Sequence, residues 1–261
     1  MLSSPRSLEE GDGIMTGAQM APSIAVVLPA HNEAENIAGM LQDVINTVGV
    51  RTADYEIIVV ADGSQDRTPE IVMEAAARQP RIRLLRHATN QGYGAAVYDG
   101  LAAATKELVF LTDADRQFDL REFDKLLEAL GGCDLAIGYR APRRDPLLRT
   151  LNGWGWSACV TLLFGYVSRD IDCAFKLLRR GVIQELKDRI RSRGATFSAE
   201  LLVRAKRAGY RIREVPIHGH RPRMAGRPSG GRPDVILRAF KELLLFRLRL
   251  WREGRPIRAR A

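Results

Sequence analysis

The amino-acid sequence predicts an α/β protein with a mainly parallel sheet between flanking helices. Short apolar, β-branched runs alternate with helical patterns from residue 24 to about residue 140. Those runs lack a polar alternate, as strands covered on both faces do. At 261 residues, 46% hydrophobic and 27% charged, the chain can bury a core without disulfide or metal staples, and wholesale disorder is excluded.

The elements follow in order. Ile24–Leu28 (IAVVL) reads as a strand, and Asn32 with Glu35 resembles a capping box opening a helix to about Val48. Tyr55–Val60 (YEIIVV) is a second strand, and Thr68-Pro69-Glu70 starts a helix with Pro in its first turn. Ile82–Leu85 is a third strand, and Gly92 to about Thr105 is an Ala-rich helix. Leu108–Leu111 is a fourth strand, Asp119 with Glu122 caps the next helix, and Leu135–Ile137 is a fifth strand. Beyond Arg140 the pattern loosens. It gives a helix around 150–166, a short segment Cys173–Leu178, a helix from Ser198 and a strand Arg211–Ile217. A Gly/Pro/Arg loop over 218–233 and a last helix complete the chain. Residues 1–22, rich in Ser, Gly, Pro and charge, read as a disordered leader. The main domain then spans 23–217, with the basic loop and C-terminal helix and tail over 218–261.

Cys133, Cys159 and Cys173 are odd in number and widely spaced, which suits neither a disulfide framework nor a zinc site and points to a reducing compartment. The net charge of +9 is segregated: residues 204–261 hold 17 Lys/Arg against 4 Asp/Glu, whereas residues 1–203 hold 23 against 27. An anionic partner is expected at the C-terminal end. The leader has no apolar core of a secretory signal, and no run of about 20 apolar residues predicts a spanning helix. Thr150 to Ser168 is uncharged and reads either as a buried helix or as one lying against lipid. Val235–Trp251 (VILRAFKELLLFRLRLW) interleaves apolar residues with Arg and Lys, as a basic amphipathic helix on an anionic membrane surface does. A terminal helix packed on its own domain is the alternative. Nucleic acid is not an expected partner, because the arginines are not interleaved with stacking aromatics.

Ligands of open parallel sheets sit beyond the carboxyl ends of the strands. Three strands deliver carboxylates to that edge: Pro29-Ala30-His31-Asn32-Glu33, Ala61-Asp62-Gly63-Ser64, and Thr112-Asp113-Ala114-Asp115-Arg116-Gln117. Asp113 and Asp115, with the amide oxygen of Gln117, are hard oxygen ligands suited to Mg²⁺ or Mn²⁺ shared with a substrate diphosphate. A P-loop, a complete dinucleotide fingerprint, a G-x-S-x-G elbow and an H-E-x-x-H pair are all missing from the sequence.

The ordered motifs VVLPAHNEAENI, EIIVVADGSQDRT, NQGYGAA and FLTDADRQFD resemble those of family 2 glycosyltransferases of the GT-A fold, with a Rossmann-like sheet. Downstream, IGYR, DCAFKLLRR, FSAELL and EVPIHGHRPRMAGRPSG resemble the dolichol- or polyprenyl-phosphate mannosyltransferase-like branch. The resemblance spans about residues 22–250. It implies nucleotide-sugar contacts at Pro29, His31, Glu33, Val60, Asp62 and Ala114, and metal and diphosphate binding at Asp113, Asp115 and Gln117. It implies phosphate-facing cations at Arg140, Lys176 and Arg223, and a further contact at Ser229. The sequence departs from the family pattern at Ala61 (usually Asp), at Ala174 (usually Gly) and at Pro228-Ser229 in the loop.

The implied reaction is transfer of a hexose, mannose from GDP-mannose favoured, to a polyprenyl phosphate by one inverting displacement. Asp115, Arg140 and Arg223 would be the catalytic groups. A divalent ion and arginines would stabilise charge on the leaving diphosphate while the sugar gains oxocarbenium character. A phosphate acceptor needs no strong base, only cations, for which Arg140, Arg144, Arg149 and Arg223 are candidates. A peripheral site on the cytoplasmic face of a membrane follows. Two alternatives remain open. A soluble enzyme acting on a hydroxyl would need a base such as Glu200. A non-catalytic nucleotide-sugar binder or membrane scaffold would need none. His218 and His220 read as loop residues or weak phosphate contacts.

Overall fold

The computed structural model describes residues 21–142, 147–221 and 233–254, except the side chains of 147–152 and 233–236. Among these residues a seven-stranded sheet has the order β3-β2-β1-β4-β6-β5-β7. Its strands are β1 (Ile24–Ala30), β2 (Tyr55–Asp62), β3 (Ile82–His87), β4 (Leu108–Thr112), β5 (Leu135–Arg140), β6 (Phe175–Arg179) and β7 (Ile212–Ile217). β1 and β2 are buried along their whole length, as the unbroken apolar runs require. β3 closes one edge and exposes Arg83 and Arg86, charges that discourage further strand pairing.

Side chains alternate across the sheet and feed two cores. Ile24, Val26, Leu28, Ile57, Val59 and Phe110 face one layer, made by α1 (Ile37–Val48), α2 (Thr68–Arg78) and α4 (Phe123–Leu130). Ala25, Val27, Ile58, Val60, Val109 and Leu111 face the other. That layer contains α3 (Tyr93–Ala103), α5 (Leu147–Phe164), α6 (Arg180–Leu186), α7 (Phe197–Arg207) and α8 (Pro233–Arg252). α3 lies close on the sheet because Gly100 has no Cβ to collide with Val27.

The sheet is parallel except for β6, which runs antiparallel to both β4 and β5. The chain leaves the sheet at the carboxyl end of β5 and re-enters at the same edge, so Phe175 lies beside Thr112. This brings the turn before β6 to the edge where the other strands end. Of the two expected caps, Asp119 forms its own, its carboxylate accepting the N–H of Arg121 at 3.0 Å, whereas Asn32 does not. Asn32 adopts a φ of 56°, and its side-chain oxygen accepts the N–H of Gln65 at 2.8 Å, so it ties two loops together while α1 opens at Ile37. Glu122 does not reach back to Asp119 but accepts backbone N–H groups of His218 and Gly219. α6 was not legible, because seven residues, Gly181 among them, display too little helical period.

Candidate active site

β4 ends in a tight turn over 113–117, in which Arg116 takes a φ of 57°. Arg116 crosses Gly39 of α1 and pairs with Asp43 at 2.8 Å, pointing away from the neighbouring acids. Ala114 is buried in the core, so it anchors the turn rather than presenting a side chain to a ligand. The Asp115 carboxylate accepts the N–H of Gln117 at 3.1 Å. Burial and the Asp115 charge push the Asp113 carboxyl up to about 7, against the opposing pull of Tyr93, Lys176 and Arg140. Tyr93 is 39% exposed, yet its hydroxyl hydrogen-bonds Asp113.

Two neighbouring carboxylates, Asp115 buried and Asp113 half-buried and resisting ionisation, form a hard-oxygen pair that a divalent cation would relieve. Among the described residues no group of three His, Cys, Asp or Glu forms a cage. Mg²⁺ or Mn²⁺ there would therefore take ligands beyond Asp113 and Asp115 from Gln117, diphosphate oxygens or water. The Gln117 amide N–H₂ donates to the Arg221 carbonyl at 2.9 Å, and the Arg221 N–H returns to the Gln117 carbonyl at 2.8 Å. Its side-chain oxygen is the atom available to a metal.

The cations differ from expectation. Arg140 ends β5, but its guanidinium forks onto Asp170 at 2.7 and 2.8 Å, with both side chains under 10% exposed. It supports the turn before β6 and acts on Asp113 through its field rather than as an outward phosphate clamp. Lys176 is 1% exposed, and its ammonium donates to the carbonyls of Ile171, at 3.1 Å, and Cys173. Burial lowers its pKa, opposed by the charges of Asp172, Asp170 and Asp113. Lys176 is thus buried near the acid turn and is not a surface ligand. Burial likewise pushes the Cys173 thiol up to about 12.

At the ends of β1 and β2, Pro29 lies in register with Val60. Val60 is fully buried against Gly100, so its side chain belongs to the core rather than to the wall of a base pocket. The Asp62 carboxylate accepts the N–H groups of Gln91 and Gly92 at 2.8 and 2.9 Å and meets His87 at 2.7 Å. It therefore shapes the loop that opens α3. The exposed His31 reaches the Asp62 carbonyl at 2.6 Å. Glu33 is 6% exposed and accepts from Asn36 at 2.8 Å. A cleft of about 360 Å³, lined by Ser64, Arg86, His87 and Ala88, opens beside these strand ends and away from the acid turn.

Arg144, Arg223 and Ser229 lie outside the described residues, as does the side chain of Arg149. Glu200 is fully buried, accepting from Ser192 N–H at 2.7 Å and Arg204 at 2.8 Å, and cannot serve as an exposed base. His220 packs on Phe118 with ring centroids 5.1 Å apart and is 3% exposed, an anchor rather than a phosphate contact. Asp170 and Tyr93 were missed by reading only residues that follow parallel strands. Asp170 precedes an antiparallel strand, and Tyr93 opens a helix.

A family model described as Glycosyl transferase family 2 matches residues 25–186. A dolichyl-phosphate beta-glucosyltransferase of Trichomonas vaginalis is 31% identical over 243 residues, covering 86% of this chain and 72% of its own. The glycosyltransferase AglD of Haloferax volcanii is 34% identical over 202 residues, covering 74% of this chain but only 32% of its own length. The dolichyl-phosphate beta-glucosyltransferase of Saccharomyces cerevisiae is 27% identical over 223 residues, covering 76% of this chain and 66% of its own. The crystal structure of glucosyl-3-phosphoglycerate synthase from Mycobacterium tuberculosis with Mn²⁺, uridine-diphosphate and phosphoglyceric acid superposes with a TM-score of 0.67. At 21% identity, covering 87% of this chain and 78% of that one, the likeness is one of fold.

Proposed function

This chain belongs to glycosyl transferase family 2, and we propose that it moves a hexose from a nucleotide diphosphate-sugar to a polyprenyl phosphate, inverting the anomeric carbon. The observation that carries this reading is the acid turn, with half-buried Asp113 and buried Asp115 at the carboxyl edge of the sheet near the buried Lys176. The names of the relatives support a lipid phosphate as acceptor and make glucose the first sugar to test. The motif likeness to the mannosyltransferase-like branch keeps GDP-mannose beside it.

Asp113, Asp115 and the Gln117 oxygen would hold Mg²⁺ or Mn²⁺, which when bound stabilises charge gathering on the departing diphosphate. The protein's own part is to orient and neutralise. His31 and Glu33 would meet the nucleotide, and Lys176 and the Arg140–Asp170 pair hold the turn beside the acids. Arg223 is expected to face the phosphates. The acceptor is already an anion and needs no proton removed. A hydroxyl acceptor would, and the candidate base Glu200 is enclosed by Ser192 and Arg204.

We place the protein peripherally on the cytoplasmic face of a membrane. Among the described residues no helix is long and apolar enough to cross one. α8 instead carries two apolar stripes. Leu243, Phe246 and Leu250 are buried on the domain, while Leu237, Leu244, Leu248 and Trp251 are 53–75% exposed. Exposed Arg238, Lys241, Arg247 and Arg252 flank the outward stripe, and α5 adds exposed Trp154 and Leu162. An apolar strip rimmed by cations suits an anionic bilayer surface.

The test is incubation of the protein with Mg²⁺ or Mn²⁺, a panel including UDP-glucose and GDP-mannose, and a short polyprenyl phosphate. The expected result is one organic-soluble glycolipid from one donor. Transfer only to soluble hydroxyl compounds, or no transfer from any donor, overturns the reading.

A further inference from the structure

β7 ends at Ile217, and two strands, β5 and β6, separate it from β4. The chain after Ile217 nevertheless reaches the turn that follows β4. The Glu122 carboxylate accepts the N–H of His218 at 2.9 Å and that of Gly219. Asp119 N–H donates to the Gly219 carbonyl at 3.1 Å, and residues 117 and 221 exchange the two hydrogen bonds already described. His220 seats its ring on Phe118. The approach is too close for a side chain at position 219, where a Cβ would overlap Asp119 and lie 2.7 Å from Glu122 Oε1.

We propose that Glu122 is a positioning residue of the donor site: by holding the main chain of residues 218–219 it sets the register in which 218–221 close on 117–119, fixing Gln117 and, through it, Asp115. The inference rests on the reading of the acid turn as the diphosphate site. The route is continuous. Glu122 holds Gly219, the 219 and 221 main chain pairs with residues 119 and 117, and the Gln117 N–H holds the Asp115 carboxylate. Hydrogen bonds to an ionised acceptor are the strong ones, so Glu122 is the member whose loss slackens the rest. Its ion pair with Lys125 is a surface contact and contributes little.

The experiment compares wild type with Glu122→Ala, Glu122→Gln, Gly219→Ala and Lys125→Ala. Two readouts are taken: amide hydrogen exchange at Gly219 and Arg221 without ligand, and calorimetric binding of UDP and GDP with Mn²⁺. Glu122→Ala and Gly219→Ala should lose protection at both amides and weaken nucleotide binding about tenfold. Glu122→Gln, which keeps an acceptor oxygen, should restore most of both, and Lys125→Ala should match wild type. If Glu122→Ala fails to fold, Glu122→Leu, which keeps the bulk but has no acceptor oxygen, is read in its place. Protection retained in Glu122→Ala overturns the proposal, as does lost protection with unchanged nucleotide binding. A wild-type protein that binds neither nucleotide overturns the donor-site reading first, and this inference with it.

Discussion

Asp113, pushed up to about 7 by burial and by Asp115, binds a proton in the folded chain that it would have released when unfolded. The sign follows from linkage: where the folded state holds the extra proton, stability falls as pH rises. Between about pH 4 and about pH 7 the metal-free protein should lose stability relative to Asp113→Asn. Saturating Mn²⁺ should abolish the difference, and thermal midpoints with and without chelator check this. Glu56 behaves oppositely. Burial alone would raise it, but the Thr105 N–H and hydroxyl and Arg83 outweigh burial and hold it below its usual value. Its contribution is present above about pH 4.5 and is lost as pH falls below that, so Glu56→Gln should flatten the acid limb of the stability curve. At this scale the acid pair was readable because D-x-D at a strand end is a local pattern. The partners of Arg140 and Lys176 were not, because Asp170 and the carbonyls of Ile171 and Cys173 meet them only through the antiparallel return of β6.

α8 separates two duties by side of helix. Phe246 is fully buried and stacks on Phe164 at 4.9 Å, so Phe246→Ala should cost about 3–5 kcal/mol of folding stability. Leu248→Ala and Trp251→Ala remove exposed groups and should stay within about 0.5 kcal/mol. Both should instead weaken sedimentation with anionic vesicles several-fold. Unchanged vesicle binding in the Trp251 variant would contradict the membrane assignment. Arg204 bolts the end of this helix to α7, pairing with Glu253 at 2.8 Å and with the buried Glu200 at 2.8 Å. Amphipathicity was legible from Val235–Trp251; the structure shows one side packed on the domain and leaves an exposed apolar stripe on another, which is the side the proposed membrane contact would use. Period alone could not assign the sides, since that depends on where Glu200 and Arg204 wait on another helix.

Across the whole molecule, segregated charge and sheet topology act together. The parallel strands and the re-entrant β6 gather acids at one edge, while the arginine-rich last quarter of the chain supplies positive charge around α8. Vesicle association should therefore weaken with rising salt, as attraction to an anionic surface does. The GT-A architecture was readable from strand–helix alternation and the order of motifs. The antiparallel β6 and the closure of 218–221 on the acid turn were not, because both depend on pairings between residues far apart in sequence. The most direct test of the account is transfer of labelled sugar from the accepted donor into an organic-extractable product by wild type and Asp115→Asn, with the fold of each confirmed by its thermal midpoint. The account predicts a lipid-linked product whose rate falls about 10²–10³-fold in the variant while folding persists. A folded variant that forms the product at the wild-type rate would contradict it.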